Sequence, residues 1–172
     1  GMKMGGGPKP FGVDAECVPD LLKQISGLGL ECIGFHIFSG SQNLNAAAIQ
    51  DVHEKTVQLA IRLAEYAPSS IKLINMGGGF GIPYFPGERS LNLPLIGENL
   101  QRLSMILKQH LPAARIALEL GRYIVGEAGI YVCRILERKL SRGQMFLVTD
   151  GGLHHHLAAS GNFGKVIRKN YP

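Results

Sequence analysis

The sequence predicts an α/β fold, a partial (β/α)8 TIM-type barrel followed by the start of a β-rich domain. Three observations point there. Apolar segments of strand length alternate with amphipathic helical segments over the first two thirds of the chain, and such alternation produces parallel strands with helical crossovers. The strand-like segments start near residues 30, 71 and 115, a period of roughly 40 that suits one strand-plus-helix unit with its loops. Beyond Gly129 two strand-like segments follow one another with no helix between them. The chain has 172 residues, whereas a whole barrel needs eight units, on the order of 250 residues. Three or four units are present, so the sheet is either open or part of a barrel.

The elements follow in order. Gly1-Met2 looks like a protease scar before a start methionine, and residues 2–10 are rich in Gly and Pro and read as a loop. Residues 14–26 place Cys17, Leu21, Leu22 and Ile25 near helical spacing, and Gly27 and Gly29 can close that helix. The apolar run LECIGFHIF at 30–38 reads as a buried strand. Asn45 is a candidate N-cap for a helix with Ile49, Val52, Thr56, Leu59, Ala60 and Leu63 on one face, stopped by Pro68. IKLINM at 71–76 is the next strand and runs into Gly77-Gly78-Gly79-Phe80-Gly81. A second helix over 96–110 turns Leu100, Leu103, Ile106 and Leu107 inward and ends at Pro112. RIAL at 115–118 opens a third strand that leads into Glu119-Leu120-Gly121-Arg122. Residues 129–138 and 144–149 form two further strands joined at Ser141-Arg142-Gly143, and the tail from Asp150 is rich in Gly and His.

Composition narrows the function classes. Hydrophobic residues make up 45% of the chain, enough for a sizeable core. The formal charge is +5 and there is no Trp. No run of five Lys or Arg occurs, so a nucleic-acid footprint is not expected. Arg134, Arg138, Lys139 and Arg142 read as the solvated side of a strand pair. The three cysteines, Cys17, Cys32 and Cys133, are far apart and form no C-x-x-C, which points to reduced thiols in a cytoplasmic protein. No signal peptide or membrane span is expected. Adjacent His154, His155 and His156 cannot all face one ion from a strand, so no metal site is expected. Asp150 reads as a turn residue.

Ligands of parallel α/β folds bind at the carboxyl ends of the strands, and here all three strands end in unusual residues. The first ends at His36 with Ser39 and Ser41 close behind; the second ends in four glycines among five residues; the third ends in Glu119, Gly121 and Arg122. Glycines after a strand expose backbone N–H groups as an anion-binding nest. Arg122 adds a bidentate phosphate donor, and Ser39 and Ser41 offer hydroxyls. Glu119 would be isolated there unless it faced a cation or a protonated nitrogen. His36 could lie flat against an aromatic ring. A dinucleotide fingerprint fails on spacing, because Gly77, Gly79 and Gly81 are followed by Ile82 where the third glycine belongs, and no G-K-[ST] is present.

GFHIFSGSQ at 34–42, NMGGGFGIPY at 75–84 and ELGRYIVGEAG at 119–129 resemble the pyridoxal-phosphate decarboxylases of basic amino acids, the ornithine, diaminopimelate and arginine enzymes. FGVD at 11–14 and DGG at 150–152 fit that family's order of segments. The resemblance implies an alanine-racemase-like barrel followed by a β-domain. Residues 1–128 would then be the second half of the barrel and 129–172 the entry to the β-domain. It implies pyridoxal phosphate as cofactor, with His36 stacked on the ring, Glu119 paired with the pyridinium nitrogen, and the phosphate held by Ser39, Gly77, Gly78, Gly79, Gly121 and Arg122. It also implies a small amino-acid substrate, basic or diamino. The family usually has Pro where Leu120 stands, a departure that removes a rigid φ but no ligand.

The same resemblance exposes a gap. The family's Schiff-base lysine lies in a stretch like A-V-K-A-N on an early barrel strand, and no such stretch is present. Lys72 is on a strand but at its start, the wrong end; Lys3, Lys9, Lys23, Lys55, Lys108, Lys139, Lys165 and Lys169 read as surface or loop residues. No catalytic residue is therefore assigned, and the chain reads as the middle of a longer enzyme, inactive alone. A half barrel exposes sheet edges and apolar helix faces, so a homodimer is expected. Two other readings stand beside this one: a non-catalytic fragment or homologue that binds cofactor or partner without turnover, and a racemase-like barrel protein. The helix-free strand pair and the DGG turn speak against the latter.

Overall fold

A computed structural model describes residues 11–152 and 154–155. They fall into two units, the first ending at Gly126 and the second beginning at Glu127. The expected loop at 2–10, His156 and the rest of the tail, and Lys3, Lys9, Lys165 and Lys169 lie outside the described residues.

The first unit opens with a single 3-10 turn at Ala15–Cys17. It continues through α1 (Val18–Gly27), β1 (Gly34–His36), α2 (Ala46–Ala64), β2 (Leu73–Asn75), α3 (Leu93–His110), β3 (Arg115–Ala117) and a short α4 (Arg122–Val125). The strands form one sheet in the order β1-β2-β3, with both pairings parallel. Their register is flush: Gly34, Leu73 and Arg115 share the first row, and His36, Asn75 and Ala117 share the last. All three carboxyl ends therefore open at one edge. The α/β class with parallel strands is as expected. The expected start of a helix at residue 14 is replaced by the 3-10 turn, with α1 beginning at Val18.

Local signals explain most boundaries. The Asn45 side chain accepts from the Ala48 N–H at 3.1 Å and starts α2 as expected. Asn92 does the same for Leu95 at 3.3 Å, with Pro94 in the first turn, so α3 begins three residues before the expected 96. Gly29, at φ +69°, closes α1 in the left-handed conformation. The buried stripe of α2 is Ile49, His53, Thr56, Val57, Ala60 and Leu63. His53 and Val57 take central places where the expected face had Val52 and Leu59, which are half-buried.

The strands are three residues each, shorter than the expected 30–38, 71–76 and 115–118. Beyond the strand ends isolated hydrogen bonds replace the ladder, as when Lys72 N–H donates to the Ile33 carbonyl at 2.8 Å and Arg115 N–H to the Lys72 carbonyl at 3.0 Å. Helices α2 and α3 pack together and cover the sheet, placing Val57, Ala60, Leu103 and Leu107 against Ile71, Ile74 and Met76. Ile74 is fully buried, and sealing a side chain of that size is worth about 1.5–3 kcal/mol. A second cluster of Ile49, Phe80, Leu91 and Ile96 lies under the glycine-rich segment. The outer edges of β1 and β3 have no strand partner among the described residues.

The second unit is an antiparallel hairpin of β4 (Ile135–Ser141) and β5 (Gln144–Thr149). The first of these strands starts six residues later than the expected 129 and runs on to the turn. Arg142 and Gly143, at φ +46° and +78°, form the two-residue connection that such hairpins favour. Asp150 holds the open end: its Oδ1 accepts from the Arg134 N–H at 2.8 Å and its N–H donates to the Arg134 carbonyl at 3.1 Å. Arg134, Arg138, Lys139 and Arg142 are all exposed. They do not share one side, because Arg138 and Lys139 are consecutive in β4 and project from opposite faces. No helix among the described residues is long and apolar enough to cross a membrane.

Candidate functional site

Past the last sheet row, backbone hydrogen bonds stitch the three strand ends together. Ile37 N–H donates to the Asn75 carbonyl at 2.8 Å, Met76 N–H to Ala117 at 3.0 Å, and Glu119 N–H to Gly77 at 2.8 Å. The loop after β1 joins the glycine segment at an isolated parallel bridge between Asn43 and Phe80. There Asn43 N–H donates to Gly79 at 2.8 Å and Gly81 N–H to Asn43 at 2.9 Å. Residues 39–43, 77–81 and 119–122, far apart in sequence, thereby form one surface.

The glycines make this closeness possible. Gly77 and Gly79 are at φ +67° and +94°, where other residues are strained. A Cβ on Gly78 would collide with the Glu119 carbonyl, and one on Gly79 would lie 2.6 Å from the Gly40 carbonyl oxygen. The Gly77 N–H is already donated to Asn75 Oδ1 at 2.9 Å. The N–H groups of Gly78 and Gly79 have no backbone or side-chain acceptor among the described residues, which leaves these two as the open donors of the nest.

Side chains converge on the same place. His36 Nε2 stands 3.3 Å from Glu119 Oε2, and Asn75 Nδ2 donates to Glu119 Oε1 at 2.8 Å. Arg122 Nη1 donates to Gln42 Oε1 at 3.1 Å, and its guanidinium lies 5.6 Å from the centre of the Tyr84 ring. Gln42 also donates through Nε2 to the Ile82 carbonyl at 2.5 Å and accepts from the Ile82 N–H at 3.4 Å. Gln42 adopts φ +55°, a conformation that costs on the order of 1 kcal/mol for a non-glycine residue; these hydrogen bonds hold it there.

Two neighbouring clefts share Ser41, Gln42, Gly78 and Gly79. One, of about 240 Å³, also has Ser39 and His53 in its wall. The other, of about 200 Å³, also has Glu119, Gly121 and Arg122. Of the residues singled out in the sequence, His36 and Gly77 line neither cleft; His36 stands against Glu119 of the second, and Gly77 directly precedes Gly78, which lines both. No described lysine lines either cleft; Lys72 pairs with Glu31 at the opposite end of β2. Among the described residues no three His, Cys, Asp or Glu side chains are grouped to hold a metal.

Three contributors escaped the sequence reading. Asn75 is a polar residue at the end of an apolar strand, a signal that was present. Gln42 and His53 carry no comparable sign. His53 is 2% exposed, and its Nδ1 has no hydrogen-bond partner among the described residues. Burial holds its pKa below the ordinary 6.5. The folded state therefore binds this proton less readily than the unfolded chain, so His53 favours folding above about pH 6.5 and loses that contribution as pH falls below it. The thermal stability of the wild type should fall from pH 7 to pH 5, and His53→Leu should show a shallower slope, by at most about 1.4 kcal/mol per pH unit.

The chain was compared with known proteins. It matches the family described as pyridoxal-dependent decarboxylase, pyridoxal binding domain, over residues 2–126. It is 37% identical over 176 residues to an L-glutamyl-[BtrI acyl-carrier protein] decarboxylase of Niallia circulans, covering 99% of this chain and 40% of that protein. It is 31% identical over 134 residues to a diaminopimelate decarboxylase of Thermoplasma acidophilum, covering 77% of this chain and 32% of the relative. Among solved structures, a lysine decarboxylase of Selenomonas ruminantium superposes with a TM-score of 0.66 at 26% identity, over 90% of this chain and 40% of that one. A diaminopimelate decarboxylase superposes with a TM-score of 0.76 at 22% identity, over 88% of this chain and 35% of the other, a likeness of fold. The chain thus spans about 40% or less of the length of these relatives. With the family's domain matched over residues 2–126, which include all three stitched strand ends, the chain belongs to the pyridoxal-dependent decarboxylases, whose cofactor is pyridoxal phosphate.

Proposed function

We propose that this chain carries the phosphate and pyridine side of a pyridoxal-phosphate site and lacks the lysine side. In this reading residues 1–128 are the second half of a barrel, and 129–172 are the entry to a β-domain. The observation that carries it is the convergence of two open glycine N–H groups, the Arg122 guanidinium and the Glu119 carboxylate on adjoining clefts.

The residues present fit the group. Gly78 and Gly79 offer N–H donors at strand ends, and Arg122 is held nearby by Gln42. With Ser39 and Gly121 they would hold the phosphate, Gly77 shaping the loop. Glu119 would face the ring nitrogen and keep its proton, with His36 against the ring. Bound there, pyridoxal phosphate supplies an electron sink for the electrons left when a carboxylate departs as carbon dioxide. The chain's own part is to fix the phosphate, orient the ring and hold the nitrogen's proton at Glu119. For a longer protein containing it, the reading is decarboxylation of a basic or diamino acid, in keeping with the names of the diaminopimelate and lysine enzymes it resembles. A reducing, cytoplasmic setting suits three cysteines that are all free. Exposed Leu28, Leu30 and Ile33 before β1 support a second copy as partner.

The test is titration of the 172-residue chain with pyridoxal phosphate in a sedimentation cell, followed by borohydride and mass mapping. Saturable binding competed by inorganic phosphate, on a dimer, with no lysine labelled specifically, is expected. A single labelled lysine, with carbon dioxide released when a diamino acid is added before the borohydride, or equal affinity for pyridoxal without its phosphate, overturns the reading; a monodisperse monomer removes its dimer.

A further inference from the structure

Asn75 stands in the last row of the sheet, between His36 and Ala117. Its carbonyl accepts from Ile37, so the residue is held from the backbone. Its side chain makes two hydrogen bonds of opposite sense: Oδ1 accepts from the Gly77 N–H at 2.9 Å, and Nδ2 donates to Glu119 Oε1 at 2.8 Å. The orientation of an amide is usually a matter of assignment, but here a backbone N–H can only donate. Oδ1 must face Gly77, and Nδ2 must face Glu119. An NH2 group has no acceptor capacity, so Glu119 Oε1 has to be the acceptor, as in a carboxylate. The other oxygen, Oε2, is turned toward His36 at 3.3 Å.

We infer that Asn75 is the positioning residue of Glu119, its amide engaging one carboxylate oxygen as an unprotonated acceptor and leaving the other for the ring nitrogen of the cofactor. The inference rests on the reading of the site given above. It explains why an amide occupies this position. A carboxylate at 75 would still accept from Gly77, but it would set oxygen against oxygen at Glu119. Like charges so close repel, and a proton shared between them would take charge from the group that faces the ring.

The experiment compares the 172-residue wild type, Asn75→Asp, Asn75→Asp combined with Glu119→Gln, and Asn75→Ala. Each is titrated with pyridoxal phosphate and with its analogue in which C–H replaces the ring nitrogen, and each is melted without ligand. Wild type should prefer pyridoxal phosphate. Asn75→Asp should lose about tenfold or more of that preference while binding the analogue within about threefold of wild type, since only the nitrogen's partner has changed. Its melting temperature should fall and then recover when Glu119→Gln restores a donor opposite the new carboxylate, with no recovery of the preference. Asn75→Ala, which loses the Gly77 contact as well, should weaken both ligands. An Asn75→Asp chain that keeps the preference, or weakens both ligands equally, overturns the inference and leaves Asn75 as a prop for the glycine loop. A wild type that binds neither ligand overturns the site reading and the role toward the ring nitrogen with it; the melting data then separately report whether Asn75 and Glu119 are paired.

Discussion

Arg122→Ala is expected to weaken the binding of pyridoxal phosphate by about 10- to 150-fold while leaving that of pyridoxal nearly unchanged. The range is that of one charge-assisted hydrogen bond, about 1.5–3 kcal/mol. Arg122 suits the role because it is exposed yet held in place. Its Nη1 is tied to Gln42 Oε1, its face lies toward Tyr84, and Gln42 is itself fastened to the Ile82 backbone. Holding the guanidinium beforehand reduces the entropy lost when phosphate arrives. Arg122→Lys keeps the charge but not the planar fork, and it should fall between the two. Fluorescence titration with both ligands checks the pair; equal loss for pyridoxal and its phosphate would place Arg122 away from the phosphate.

Gly78→Ala is expected to destabilise the fold by about 1–3 kcal/mol and to abolish cofactor binding. Backbone torsion is not the reason, since Gly78 does not share the positive φ of its neighbours. The obstacle is the Glu119 carbonyl, into which a methyl group would run. Relief requires β2 and β3 to part at their ends, breaking the Glu119-to-Gly77 hydrogen bond of 2.8 Å and carrying the Glu119 side chain away. Gly97→Ala is the matched control. Gly97 lies inside α3 with open space around its Cβ position, so alanine there should stabilise by about 0.5–1 kcal/mol. Urea denaturation of both variants, with the ligand titration repeated, separates a packing defect at the site from a general effect of added methyl groups.

The frame of the first unit was legible because its causes are local. Periodicity and the Asn45 cap place α2, and short apolar runs ending in Gly, His or Glu place the strands and mark one edge of the sheet as chemical. What escaped depends on distant partners. Asn75 meets Glu119 across 44 positions and Gln42 meets Arg122 across 80, and no local pattern announces either. His53 was hidden by its own face of α2, which turned a few tens of degrees from the one drawn through Val52 and Leu59. The one-turn α4 is too short to leave a periodic trace. The Gly77 amide illustrates the same limit: a glycine run announces open donors, but only the fold shows that Asn75 has taken one of them.

The clamp made by Gln42 bears on how such sites can be recombined. Toward the second strand-helix unit it grips main-chain atoms of Ile82, whose identity is irrelevant to the bond; toward the third it requires the side chain at Arg122. A chimaera that imports the second unit from a relative therefore keeps the clamp provided its glycine spacing is preserved, and keeps the separate hold on Glu119 provided residue 75 still presents a donor. One that imports the third unit must bring arginine and glutamate in the same register. Exchange of the second unit therefore asks less of the incoming side chains than exchange of the third, and grafting experiments should begin with the second.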